Sequence, residues 1–122
     1  MEKVVFNLLQ DGQQLCFTPQ NISEFWAVAS RPIEKNGLGL STSLVLAAIS
    51  EIERVFFLLP DSLLVYEEWK SLVTQHKVVG KQVHDARLAA VARVYGVEKI
   101  LIFNTVDFRR YRGIAGVSPG EI

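Results

Sequence analysis

The feature that most limits this chain is its alternation of amphipathic helical segments with short apolar runs. The order is helix, strand, helix, helix, strand, helix, helix, strand, strand. Strands separated by helices cannot pair as hairpins, so the expected architecture is α/β, a mostly parallel sheet with helices on both faces. In such folds functional groups collect at the carboxyl ends of the strands. A chain of 122 residues that is 49% hydrophobic can bury one core, and residues 1–122 read as a single domain.

A first helix is expected from about Glu2 to Gln10, with Val5, Leu8 and Leu9 on one face; a short strand through Val4 to Leu8 competes with it. Asp11-Gly12 supplies the break. Gln14 to Phe17 reads as a strand that stops at Thr18-Pro19, an N-cap followed by a residue preorganised for the first helical position. The helix from Pro19 to about Ser30 then buries Ile22, Phe25, Trp26 and Ala29, and Arg31-Pro32 ends it. Glu34 to Leu40 is an exposed, polar connection whose two glycines are too weak a pattern for phosphate binding.

Ser41 or Thr42 caps a third helix to about Arg54, with Leu44, Ala47, Ala48 and Glu51 to Ile52 tracing its faces. Val55 to Leu59 follows as a buried strand closed by Pro60-Asp61. A helix from Asp61 or Ser62 carries Leu64, Val65, Trp69, Leu72 and Val73 inward, with Tyr66, Glu67, Glu68 and Lys70 outside. Its aromatic residues read as core rather than as a ligand platform. The next helix opens after Gly80 and stops at Gly96; strands follow at Lys99 to Asn104 and around Ile114 to Val117.

Thirteen basic and thirteen acidic side chains cancel, so nucleic acid or an anionic membrane could be held only by a local patch. Cys16 is the single cysteine, which excludes an intramolecular disulfide and suggests a reduced core thiol in a cytoplasmic protein. No apolar segment reaches bilayer length and the first residues are too short an apolar run for a signal peptide, so no membrane association is expected.

Three acids stand where α/β sites form. Glu24, Asp85 and Asp107 each follow a strand or lie in a helix entered from a loop. Asp85 is flanked by Val83, Ala86, Leu88, Ala89 and Ala90, and it reads either as a first-turn charge complementing the helix dipole or as a carboxylate drawn to a metal. Converging carboxylates repel unless a cation neutralises them, and hard oxygen donors suit Mg²⁺ or Mn²⁺. Such ions assist hydrolysis of a phosphodiester. His76 and His84 have no zinc-like spacing, and no nucleophile elbow, Walker loop or dinucleotide fingerprint is present. Arg109, Arg110 and Arg112, with Tyr111 among them, read either as a patch for a phosphate backbone and a stacked base or as a solvated loop.

Three segments in order, Thr18 to Trp26, Gly80 to Ala90 and Ile102 to Phe108, resemble the PIN domains of the VapC toxin type, and the resemblance runs from about Leu8 to the C-terminus. It implies a three-layer fold and a Mg²⁺- or Mn²⁺-dependent endoribonuclease, usually the toxin of a toxin–antitoxin pair, with RNA as substrate and an antitoxin as partner. By the same resemblance Glu24 matches the second acid of the family and Asp85 the third. The fourth position falls at Asn104, with Asp107 as the alternative.

Family members normally open with an apolar strand ending in Asp-Thr-Asn or Asp-Ala-Asn, whose Asp is the first metal ligand; this sequence contains no such motif. The resemblance therefore implies a truncated domain lacking its first central strand, with an incomplete acidic site. A catalytically silent remnant that binds a partner or itself is the alternative. Two sheet edges left unpaired by that loss imply a homodimer.

Overall fold

The computed structural model describes residues 7–101 and 108–117. It has a mixed α/β architecture in which helices dominate and the strands are short and parallel. Two compact units are present, one spanning Leu8–Pro60 and one that begins at Asp61. No helix among the described residues is long and apolar enough to cross a membrane.

Residues 7–10 are helical (α1), and the chain turns at Gly12, whose N–H donates to the Leu9 carbonyl at 3.1 Å. The rest of the expected first helix or strand lies outside the described residues. Strand β1 (Cys16–Phe17) leads into helix α2 (Pro19–Ser30) through a reciprocal cap. Thr18 Oγ1 accepts from the Asn21 N–H at 3.2 Å while Asn21 Oδ1 accepts from the Thr18 N–H at 2.8 Å, so two otherwise unpaired donors are satisfied. The helix ends at Ser30, because Arg31, which precedes proline, is extended.

A 3-10 turn at Ile33–Lys35 then folds the chain back on the end of α2. Leu38, Gly39 and Leu40 donate backbone N–H groups to the carbonyls of Val28, Arg31 and Ala29 at 3.0, 2.8 and 2.9 Å. Helix α3 (Thr42–Val55) is capped by Ser41 Oγ, which accepts from the Leu44 N–H at 3.3 Å. Ala29, Val45 and Ile49 form the centre of this unit's core, with Ile22, Phe25, Trp26 and Leu40 packed against them. The stripe expected on α2 is therefore the one that packs.

One expectation for this unit needs correction and one is completed. The faces of α3 left unassigned by sequence are set by Val45 and Ile49, which turn inward, whereas Leu44 is 57% exposed and Ala47 also faces solvent. Leu44, Val45 and Leu46 are consecutive, so hydrophobicity alone cannot phase that turn. The run from Val55 to Leu59 is not a buried strand. Helix α3 continues through Val55, the Phe56 N–H still donates to the Ile52 carbonyl, and β2 is only Phe57–Leu58, both exposed. Strand β2 pairs in parallel with β1, Cys16 opposite Phe57 and Phe17 opposite Leu58.

The other unit is built on helices α4 (Leu63–Gln75) and α5 (Gln82–Tyr95), which pack together. Ser62 caps α4, its Oγ accepting from the Val65 N–H at 3.3 Å. Helix α5 buries Ala86, Ala89, Ala90, Val91 and Ala92, a face of mostly small side chains that permits close approach of neighbouring elements, and it ends at Gly96 in the left-handed conformation. On α4, Val65 and Leu72 are buried and Trp69 and Val73 half-buried, as expected, but Leu64 is 63% exposed. Here again three consecutive apolar residues, Leu63 to Val65, compete for one inward position.

Strand β3 (Lys99–Leu101) pairs in parallel with β4 (Ala115–Val117), Ile100 opposite Gly116. The continuation of the expected strand from Ile102 to Asn104 lies outside the described residues. Among the described residues the strands thus form two separate parallel pairs, β1 with β2 and β3 with β4.

Candidate functional site

The Thr18 cap and Pro19 start α2 so that Glu24 falls in its middle, on the exposed side beside the buried stripe. Its Oε1 accepts a hydrogen bond from Gln20 Nε2 at 3.0 Å, one helical turn earlier. Asp85 is placed by the turn at Gly80, after which α5 begins at Gln82 without a side-chain cap. It is half-buried in the first helical turn, where a negative charge complements the helix dipole.

Glu24 and Asp85 belong to different units, and Asn104 and Asp107 lie outside the described residues. Among the described residues no three His, Cys, Asp or Glu side chains form a group that could hold a metal ion.

The arginine cluster is heterogeneous. Arg109 and Arg112 are exposed, whereas Arg110 is half-buried and donates from Nη2 to Gln82 Oε1 at 2.8 Å, which ties it to the start of α5. The Arg112 carbonyl accepts from Arg93 Nη2 at 2.6 Å. Tyr111 does not offer a stacking face, because it is only 3% exposed. Its ring meets His76 edge-on with centroids 5.2 Å apart and Phe108 at 6.1 Å, so it anchors this segment in the core instead.

A cleft of about 340 Å³ opens between α4 and the first turns of α5. Tyr66, Trp69, Val65 and Val83 supply its apolar lining, and Asp61 and Arg87 an ion pair. The indole N–H of Trp69 donates to the Val83 carbonyl at 2.8 Å, which fixes the ring between the two helices. The Tyr66 and Trp69 rings are 6.2 Å apart and inclined at 33°. This cleft was not apparent from sequence. Its one local signal is the spacing of Tyr66 and Trp69, three residues apart on one helix, with Tyr66 outside as expected.

Comparison of the sequence with models of known families and with curated proteins finds no match.

Proposed function

We propose that the chain is a PIN-type domain of the VapC toxin class, with a three-layer α/β fold, that hydrolyses RNA phosphodiester bonds with Mg²⁺ or Mn²⁺. The observation that carries this reading is Asp85, a half-buried carboxylate in the first turn of a helix entered from a glycine turn, within a parallel α/β framework.

Asp85 has the chemistry the ion needs, since its carboxylate would offer the hard oxygen donor that such a cation takes. When bound, the ion supplies an activated water and stabilises charge on the phosphodiester. Arg109 and Arg112 hold the strand by its phosphates, and Arg110, through Gln82, positions that segment against α5. An antitoxin-like protein partner belongs to the same reading.

The test is cleavage of RNA by the purified chain with Mg²⁺ or Mn²⁺, beside Asp85→Asn. Loss of groups that merely orient metal ligands costs about 10–100-fold, so loss of a ligand should lower the rate at least about 100-fold. Equal cleavage by the two proteins would sink the proposal.

A second reading, a partner-binding or self-associating module without catalysis, is favoured by the start of α4. Leu63 and Leu64 there are adjacent and 71% and 63% exposed, two apolar side chains that a partner would cover. Light scattering at high protein concentration tests the homodimer: a clean monomer counts against it.

A further inference from the structure

We infer that the cleft between α4 and the first turns of α5 is a nucleobase-binding site, and that guanine is the base it takes. Its volume of about 340 Å³ lies at the small end of ligand sites, suited to one flat ring system rather than to a packed helix. Val65, Tyr66, Trp69 and Val83 make half of its lining, and Ser62, His84 and the Asp61–Arg87 pair make the rest. Trp69 contributes only its ring, because its N–H is committed to the Val83 carbonyl. Tyr66, 54% exposed, stands one turn earlier with its ring open to solvent. Aromatic rings of this kind bind bases by stacking, whatever the base.

The polar part of the lining sets the chemistry. Asp61 and Arg87 form an ion pair through Asp61 Oδ2 and Arg87 Nη2, so their charges cancel and a bare phosphate gains little there. What the pair does present is a carboxylate acceptor beside guanidinium donors. Guanine has the complementary edge: N–H donors at N1 and N2 for Asp61, and O6 as acceptor for Arg87. Alkyl ligands would leave both charged groups desolvated, which disfavours them.

Val83 and Arg87 lie two residues to either side of Asp85 on α5, so the cleft uses a different face of the helix from the proposed ligand. That the base comes from an RNA strand rests on the nuclease reading. The base-binding chemistry does not.

Titration calorimetry on the full chain in EDTA, which prevents metal-dependent cleavage, tests the site. Guanosine 5′-monophosphate is compared with uridine 5′-monophosphate, and a uridine hexamer carrying one guanosine with the all-uridine hexamer. Guanine-containing probes should bind about tenfold more tightly than their uracil counterparts. Tyr66→Ala should weaken binding about tenfold while Tyr66→Phe, which keeps the ring, preserves it. Asp61→Asn, which removes an acceptor, should erase the preference for guanine.

A hexamer bound more tightly than the mononucleotide identifies a strand as the source, and equal affinities identify a free nucleotide. No guanine preference, or binding indifferent to Tyr66→Ala, overturns the assignment. So does an apolar helical peptide that occupies the cleft while nucleotides leave it empty. Cleavage assays with metal are scored separately, so guanine binding without cleavage refutes only the nuclease reading, and cleavage without a guanine preference in calorimetry refutes only the base site.

Discussion

Replacing Gly37 by alanine should destabilise the unit spanning Leu8–Pro60 far more than its exposed-loop sequence context suggests. A β-carbon built on Gly37 would lie 2.5 Å from Arg31 Cβ and closer still to the Arg31 carbonyl oxygen, with no flexible side-chain end to yield. Restoring ordinary van der Waals separation requires the loop to move by about 1 Å or more. The three backbone hydrogen bonds that tie Leu38, Gly39 and Leu40 to the end of α2 span 2.8 to 3.0 Å, so that movement breaks or badly strains them. At about 1 kcal/mol net each, their loss amounts to roughly 3 kcal/mol. Leu40 would also be partly withdrawn from the Ala29, Val45 and Ile49 cluster.

For a domain of this size a loss of that order lowers the melting temperature by about 10 °C. Gly96→Ala is the control. Gly96 has φ of +71° and nothing within 4 Å of a built β-carbon, so alanine there costs only the left-handed backbone penalty, about 1 kcal/mol. Urea unfolding followed by circular dichroism measures both variants. If Gly37→Ala costs no more than Gly96→Ala, the close approach of this loop to Arg31 is not a feature of the folded protein.

Thr18→Ala removes one half of the reciprocal cap on α2 and should cost about 1 kcal/mol in the same urea assay, whereas Thr18→Ser should be nearly neutral. Ala89→Leu inserts bulk into a fully buried position on α5 and should cost about 1–3 kcal/mol through overpacking, with near-ultraviolet circular dichroism of the aromatic side chains reporting disturbed packing. Glu51 is held below the ordinary carboxylate range by its hydrogen bond from Arg54 and by that guanidinium's charge. Its folded pKa being the lower one, the pair's contribution is present above the unfolded pKa and is lost as pH falls through the folded value. NMR titration should show the Glu51 midpoint rising in Arg54→Ala, with little change in stability because both side chains are in solvent.

Helix α2 was legible because every signal for it is local: a capping threonine, a proline at the first turn, apolar residues on one stripe, and Arg31-Pro32 at the end. Helix α3 and strand β2 were less so. Consecutive apolar residues such as Leu44 to Leu46 and Val55 to Leu59 carry no phase, and only the packing of Val45 and Ile49 against α2 decides which side turns in. The need for glycine at position 37 arises from an approach to Arg31 that local pattern does not encode. The cleft was hidden for the same reason, since Asp61 and Arg87 are 26 residues apart and Trp69 and Val83 are 14 apart. Of the proposed site, the positions of Glu24 and Asp85 on their helices could be read, but their chemistry rests on the resemblance.

The alanine face of helix α5 and its first turn serve different neighbours. The buried alanines set its packing, while Val83 and Arg87, on either side of Asp85, reach residues of or beside α4 through the Trp69 hydrogen bond and the Asp61 ion pair. A substitution at Asp85 could therefore lower activity in two ways, by removing a carboxylate or by disturbing the contacts beside it. Asn is nearly the same size as Asp but carries no charge, which separates the two. If Asp85→Asn abolishes metal-dependent cleavage while its urea midpoint and near-ultraviolet circular dichroism match those of the unsubstituted protein, the loss belongs to the charge. If the midpoint falls together with the activity, the first turn of α5 is acting through packing, and Asp85 is a structural residue of the helix rather than a ligand.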